Sequence, residues 1–170
     1  MRVSNIKYSD NCETYQIHGG EAISIDLHCG DSVEIVDVEG DQQCSVLAFD
    51  SKKSSILDSL NWSTNPNNDS SKVSIDACSD MLRAILDHNQ IKTDNLNGAE
   101  LFSASNPADS RQSFNIDSDT LCVFDAKGGP MLVDQHDAPT EILINVLRAN
   151  PTKPSERLPE PLAKNAKEIR

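Results

Sequence analysis

Alternating apolar and polar side chains in the first third of the chain predict β-structure. Residues 23–27 read Ile-Ser-Ile-Asp-Leu, which is the period-two pattern of a half-buried strand. Residues 33–38 switch parity in the middle, so this strand is buried on both faces or contains a bulge. Residues 46–49 are apolar enough for a central strand. With Gly40 in the second turn, these segments predict a three-strand meander over residues 21–49.

One helix and further strands follow. Apolar residues recur at i, i+3, i+4, i+7 and i+8 from Cys78 to Leu86, which predicts an amphipathic helix ending near Asn89. Residues 140–148 are nearly all β-branched or Leu, as in strands covered on both faces. About seven strands and one helix predict a mainly β (α+β) fold. We expect an antiparallel β-sandwich or barrel with one packed amphipathic helix.

The composition changes after residue 149. Four prolines follow within a short stretch: Pro151, Pro154, Pro159 and Pro161. Prolines at this density exclude a regular element and favour an extended polyproline-type linker. We therefore expect a β-rich domain over residues 1–149 and a Pro-rich linker over residues 150–170, leading to a following domain.

Charge and composition narrow the class of partner. The 170 residues carry a net charge of -12, and no Lys/Arg cluster precedes the C-terminal tail, which argues against nucleic acid. No apolar run approaches the ~20 residues that span a bilayer, and the N-terminus lacks the apolar centre of a signal peptide. Five scattered cysteines without a Cys-x-x-Cys pair suit a reducing compartment. We expect a cytoplasmic protein without a membrane partner.

Candidate chemistry is concentrated around Gly40. Asp37 and Glu39 are two residues apart, on one side of the strand, and flank a predicted pocket with Gln42. Nearby carboxylates bind a cationic amine or guanidino group, or divide acid and base roles by shifted pKa values. The alternative is that the acids are solvated and Gly40 serves the turn. Arg111 is a candidate clamp for a carboxylate, or else a surface arginine paired with a local Asp.

The sequence supports no metal site. Histidines and cysteines are the candidate ligands: His18, His28, Cys29, Cys44, Cys78, Cys122 and His136. His28 and Cys29 are adjacent, so their side chains point to opposite faces of a strand, and no pair has the spacing of ligands on one helical face. Zinc needs three or four converging ligands. Convergence from distant strands stays open, but we assign no metal.

The segment IVDVEGDQQCSVLAF, residues 35–49, resembles the urea carboxylase-associated family, a domain of unknown function. It is similar to that family's Asp-x-Glu-Gly-Asn-Gln…Leu-x-Ala-Phe hairpin, matched here by Asp37, Glu39, Gly40, Gln42, Ala48 and Phe49, with Asp41 in place of Asn. The preceding IHGGEAISIDLHCGDSVEI, residues 17–35, is similar to the family's opening, with His18 where Pro is usual. The resemblance covers roughly residues 15–50 closely and the remainder loosely.

The later segments resemble one branch of that family, in which the domain precedes an aminomethyltransferase similar to the glycine-cleavage T-protein. They are GAELFSASNPADSRQSF, DAKGGPM and LRANPTKPSERLPEP. The resemblance implies that tetrahydrofolate chemistry belongs to the parent protein and that this chain itself holds no cofactor. Stand-alone members carry a Cys-Gly-Arg-His-Asp segment, whereas residues 78–82 here read Cys-Ser-Asp-Met-Leu. This departure implies that the chain itself lacks a complete catalytic site.

Two functions follow from the residues and the resemblance, beside a third option, a pure interaction module with an apolar patch on one sheet face. The first is an N-terminal accessory or small-molecule-binding domain of an aminomethyltransferase-like one-carbon enzyme, with a small amine or guanidino-type ligand and the following domains as partners. The alternative is a small-molecule C–N hydrolase or deiminase related to urea or guanidine breakdown. The alternative requires a metal or an activated Cys beside a His.

Overall fold

The computed structural model describes residues 7–9, 11–57, 60, 72–74, 80–93, 96–103, 105–127 and 140–151. Within these ranges the chain forms ten strands and one helix. They are β1 (Lys7–Ser9), β2 (Cys12–His18), β3 (Ala22–Leu27), β4 (Ser32–Asp37), β5 (Cys44–Phe49), β6 (Lys72–Ser74), α1 (Asp80–His88), β7 (Asn97–Phe102), β8 (Ser110–Asn115), β9 (Thr120–Ala126) and β10 (Glu141–Leu147). The mainly β fold with one helix is confirmed.

Two five-stranded antiparallel sheets form a sandwich. The first sheet has the order β1-β2-β10-β4-β8 and the second the order β3-β9-β5-β7-β6. Buried apolar side chains of both sheets share one core, with Ile35 and Ile144 on one side and Val46 and Phe124 on the other. The number of strands is larger than expected, because β1 and β2 are too polar to be recognised by hydrophobic pattern.

The meander predicted over residues 21–49 is wrong. β4 pairs with β10 and β8 in the first sheet, whereas β3 and β5 both pair with β9 in the second. β3, β4 and β5 thus alternate between the sheets, and residues 38–43 cross the roughly 10 Å between packed sheets. The turn at Gly40 is therefore a corner between sheets and not a hairpin. Hydrophobic alternation identifies a strand but does not show which strand it pairs with. For this reason the sequence predicted the wrong strand pairing.

β5 lies at the centre of the second sheet, as predicted, and all six of its residues are buried. The parity switch in β4 is burial on both faces near its end and not a bulge, because β4 keeps a regular register with both neighbours. The register shift belongs instead to β5, between Cys44 and Ser45 opposite β7.

Coverage of the two sheets differs. β10 alternates between buried and partly exposed side chains, and Leu147 is 48% exposed, so the prediction that it is covered on both faces is wrong. β9 is buried along its whole length, because α1 packs on the outer face of the second sheet. Leu82 and Leu86 of α1 join Leu47 and Val123 in a second apolar cluster there.

α1 ends as its sequence predicts, near Asn89. Gln90 takes a left-handed conformation with φ 57°, its N–H bonds to Asp87 O at 3.0 Å, and Ile91 N–H bonds to Leu86 O at 2.9 Å. This bonding is the Schellman motif, here with Gln where Gly is usual. Ile91 and Leu86 are both buried in the cluster beneath the helix. Cys78, the first position of the predicted stripe, lies outside the described residues.

A buried ion cluster fixes the chain where β10 ends. Arg148 Nη2 lies 2.6 Å from Glu13 Oε2, and its Nη1 lies 2.7 Å from Asp31 Oδ2. All three side chains are at most 5% exposed. Arg148 Nη1 also donates to Asp26 O, and Ala149 N–H donates to Asp31 Oδ1 at 3.0 Å. Breaking one partner of such a buried pair costs about 3–5 kcal/mol.

The segments beyond this point bear on two further expectations. From residue 152 onward the predicted linker lies outside the described residues, so the division at residue 149 stays a prediction. In the described part of the chain, α1 is far too short to cross a bilayer, and no helix there is long and apolar enough to do so.

Candidate functional site

Asp37 closes the corner between the sheets. It is the last residue of β4 and is fully buried. Its Oδ1 accepts the N–H of Gly40 at 3.0 Å, and its Oδ2 accepts the N–H of Gln42 at 3.2 Å. Burial raises the pKa of Asp37 above its ordinary value; the two backbone N–H groups oppose this, and the charges of Asp41 and Glu39 add to it. Both carboxylate oxygens are thus engaged in holding the turn.

Gly40 is required by its surroundings. Its φ is +86°, and a Cβ built on it would lie 2.7 Å from Ala108 N and 2.8 Å from Asn106 O. Those atoms belong to the backbone before β8, which cannot move as a flexible side chain would. Asp41 N–H bonds to Asn106 O at 2.9 Å. The corner is therefore packed tightly against the loop that leads into β8.

Gln42 joins the corner to both sheets. Its side chain is buried, and its Nε2 donates to Gln43 O at 2.9 Å and to Lys127 O at 2.6 Å. Its Oε1 accepts the hydroxyl of Thr140 at 2.8 Å. Since Lys127 follows β9 and Thr140 precedes β10, this one amide holds together three segments from the same end of the sandwich.

The structure brings together some of the four predicted site residues. Asp37 and Gln42 meet inside the corner, and Glu39 is exposed at its surface. Arg111 lies on β8, where its Nη1 is 3.0 Å from Glu34 Oε1 in a pair that is 56% and 40% exposed. Arg111 is thus a surface arginine that pairs with a carboxylate on the neighbouring strand. This agrees with the second of its two interpretations, except that the partner is Glu34 and not an Asp. That these residues bind a ligand stays a prediction.

A row of polar side chains lies beside the corner, on the outer face of the second sheet. Ser45 of β5 is directly opposite Asp125 of β9 and Glu100 of β7. We call these three residues the polar row. Ser45 and Asp125 are each 3% exposed, and Glu100 is partly exposed. Their neighbours on this face, Leu47 and Phe49, are covered by α1.

Ser45 is the member of the row that sequence reasoning missed. Its Oγ is a buried polar atom without a hydrogen-bond partner in the described part of the chain. The apolar residues around it predict a central strand, and a single Ser within such a strand carries no functional signal in the sequence. Only the register of β5 between β9 and β7 shows that two carboxylates flank it.

The buried thiols near this site are poor nucleophiles. Burial, followed by the negative charges of Asp125 and Asp37, raises the pKa of Cys44 far above its ordinary value. Burial alone raises the pKa of Cys122 to about 12. Because the thiolate is the reactive form, both cysteines are held as unreactive thiols that pack in the core.

The described residues contain no group of three His, Cys, Asp or Glu side chains able to hold a metal ion. Among the candidate ligands named from the sequence, His28 lies instead near Asp119, with Nδ1 3.4 Å from Oδ1 in an exposed pair. Cys78 and His136 lie outside the described residues. The absence of a metal site thus stays a prediction for the whole chain.

Comparison with known proteins supports the fold alone. No protein-family model matches the chain, and no curated protein matches it significantly. Among solved structures, a DUF1989 family protein from Silicibacter pomeroyi aligns with a TM-score of 0.50 and 14% sequence identity. The alignment covers 86% of this chain and 79% of that protein. The chain therefore shares its overall fold with that protein.

Proposed function

We propose that this chain is an accessory domain that binds a small organic cation, an amine or guanidino compound, at the Gly40 end of the sandwich. In this proposal it precedes the catalytic domains of an aminomethyltransferase-like one-carbon enzyme, whose tetrahydrofolate chemistry lies outside the chain. The sequence resemblance supplies the parent enzyme. The carboxylates at the Gly40 end of the sandwich support the choice of binding site.

One observation carries the binding proposal: carboxylates converge at this end. Asp37, Glu39 and Asp41 lie within one corner, and Asp125 is close enough for its charge to act on Cys44. Like charges held together raise the free energy of the empty site, and a bound cation relieves that repulsion. The overall charge of -12 draws cations toward the protein in the same way.

An accessory role suits the bonding of the corner better than a catalytic role. The polar groups of Asp37 and Gln42 hold backbone and neighbouring segments, and Cys44 and Cys122 have raised pKa values. The ion cluster around Arg148 supports a role in organising domains, because it anchors the chain directly before the Pro-rich segment. A rigid exit sets where the next domain begins.

A thermal-shift experiment tests the binding proposal. The wild-type chain is titrated with methylamine, dimethylamine, guanidinium and carboxyguanidine at millimolar concentration, and with acetate as an anionic control. A ligand that binds only the folded state raises the melting temperature with concentration. We expect a rise with at least one cation and none with acetate. If no cation raises the melting temperature, the binding proposal is wrong.

Variants locate the site on the molecule. The double variant Glu39→Gln with Asp41→Asn removes two exposed charges, so we expect the ligand-induced rise in melting temperature to be smaller. The double variant Asp80→Asn with Asp87→Asn removes two exposed charges from α1 and is the matched control. An equal loss in the control would show that net charge, and not the Gly40 end, attracts the ligand.

Elemental analysis separates the proposal from the C–N hydrolase alternative. The accessory domain needs no transition metal, whereas a hydrolase that lacks an activated Cys requires one. A stoichiometric transition metal in the purified protein would favour the hydrolase and contradict the accessory role.

A further inference from the structure

The buried hydroxyl of Ser45 costs the folded protein free energy. Ser45 is 3% exposed, and its hydroxyl has no hydrogen-bond partner in the described residues. A buried polar group that lacks a hydrogen bond is costly, and such groups in native proteins call for an explanation. An apolar residue or Ala at this position would avoid the cost. A ligand that bonds to the hydroxyl would remove it.

The flanking residues indicate what kind of ligand fits. Asp125 and Glu100 are the direct cross-strand neighbours of Ser45, so all three side chains project from the same face of the sheet. Neighbouring strands are about 4.8 Å apart, which places the two acidic positions about 10 Å apart with the hydroxyl between them. The Asp and Glu side chains extend partly into that interval. Two carboxylates on either side of a hydroxyl favour a small cation over an anion.

Among the residues that the structure describes, the two ends of the row differ in how far they are covered. Ala22 of β3 is opposite Asp125, and its N–H lies 3.2 Å from Met81 Sδ in the first turn of α1. The helix therefore covers the Asp125 end of the row. Glu100, at the other end, is partly exposed. A ligand would approach over Glu100 and reach Ser45.

The Gly40 corner holds the row in place. Gln42 bonds to Lys127 O, two residues beyond Asp125 in the chain, and lies three residues before Ser45. This bond joins the ends of β5 and β9 where the row begins. Asp37 and Gln42 are then positioning residues, which explains why their polar groups are engaged internally.

We propose that the polar row is the ligand-contact site, and that Ser45 Oγ accepts an N–H of a small ammonium or amidinium compound while Asp125 and Glu100 balance its charge. The inference rests on the proposed binding function and names its contacts. Hydroxyl and carboxylate oxygens are all acceptors for such a donor, and hydrogen bonds to ionised groups are the stronger kind.

The decisive experiment is calorimetric titration of the full chain with the cation that gives the largest thermal shift. For Ser45→Ala we expect at least a tenfold loss of affinity together with an unchanged or higher melting temperature of the unliganded protein. That combination is specific, because a residue with a purely structural role would lose stability. Glu100→Gln should also weaken binding. Ser24→Ala, on β3 in the same sheet, is the matched control and should bind as the wild type does.

Other outcomes overturn the inference and are distinguishable from failure of the proposed function. If Ser45→Ala binds normally while the Glu39 and Asp41 variant does not, the cation binds at the corner surface and the polar row is not the site. If Mg²⁺ or Ca²⁺ binds in a Ser45-dependent way and the amines do not, the row is a metal site and the organic-cation assignment is wrong. If no cation binds the wild type, both proposals fail.

Discussion

At the scale of single residues, the environment of Gly40 decides the shape of the corner. A positive φ is available to Gly without strain, but here space matters as much as conformation. Ala108 N and Asn106 O would lie under 3.0 Å from an added Cβ. Gly30 has a similar φ of +91°, yet its nearest neighbour would be the Ala149 side chain at 3.0 Å. Substitutions at the two glycines therefore distinguish the cost of the positive φ from the cost of a collision with backbone atoms.

Gly40→Ala should destabilise the protein more than Gly30→Ala. The positive φ alone costs about 1–3 kcal/mol in either variant, and the collision with fixed backbone adds to it only at position 40. Urea unfolding of both variants and the wild type measures the difference. Equal free energies of unfolding for the two variants would show that the loop before β8 yields easily.

A second residue, Asp31, links stability to pH. Burial would raise its pKa, but the N–H groups of His28 and Ala149 and the guanidinium of Arg148 outweigh burial and lower it below 3.8. A carboxyl with a lowered pKa in the folded state binds fewer protons there than in the unfolded chain. Its contribution to stability is therefore complete above that ordinary value and is lost as pH falls through the folded pKa.

We expect the free energy of unfolding to decrease below about pH 4, with a shallower decrease in Asp31→Asn. That variant is also less stable at pH 7, because Arg148 loses a charged partner. Asp87→Asn, which changes an exposed carboxyl on α1, should keep the wild-type acid dependence. Urea unfolding between pH 3 and 7 makes the measurement. A parallel acid dependence in Asp31→Asn and the wild type would contradict this linkage.

At the scale of elements, hydrophobic pattern identified segments better than it identified their environments. The stripe of α1 and the central position of β5 follow from side-chain periodicity, which is local. β9 and β10 look equally apolar in sequence, yet only β9 is covered on both faces, because α1 packs on one sheet. β2 is not predicted by the hydrophobic pattern, because one of its inward positions is a charged residue, Glu13. The partner of Glu13, Arg148, is distant in sequence.

The C-terminal end of α1 offers a stabilising substitution. Gln90 has a φ of 57°, which costs a side-chain-bearing residue roughly 1–2 kcal/mol. Gly avoids that cost and loses about 0.5–1 kcal/mol in chain entropy. We expect Gln90→Gly to raise the free energy of unfolding by up to about 1 kcal/mol.

Gln90→Ala provides the control, since it removes the side chain and keeps the left-handed strain. Urea unfolding of the two variants beside the wild type reports the gain. A result in which Ala stabilises as much as Gly would trace the effect to the Gln side chain and not to the backbone.

At the scale of the whole molecule, the sandwich is closed at both ends by different means. The corner bonds of Asp37 and Gln42 join the sheets at one end. The ion cluster of Arg148, Glu13 and Asp31 joins them at the other, by connecting the end of β10 to the chain between β3 and β4. The bonds of Asp37 are local, whereas the bonds of Gln42 to Lys127 and Thr140 and the ion cluster join residues far apart in sequence.

Truncation tests whether the folded domain ends at this cluster. A chain that stops after Asn150 keeps Arg148 and Ala149, so we expect its melting temperature to match that of the full chain. A chain that stops after Leu147 leaves Glu13 and Asp31 buried without their cation and should melt at a much lower temperature. If the chain that stops after Asn150 is much less stable than the full chain, residues 151–170 belong to the fold and are not a linker.

The sequence by itself determined the fold class, the positions of most strands and the single helix, because these depend on side-chain periodicity and turn residues. It also marked Gly40 and its acidic neighbours as unusual. Only the tertiary structure decided that β4 and β5 lie in opposite sheets, that Arg148 is buried between two acids, and that Ser45 lies between two carboxylates. Each of these facts is a pairing of distant segments, and pairing is set by packing and long-range hydrogen bonds that no local pattern encodes.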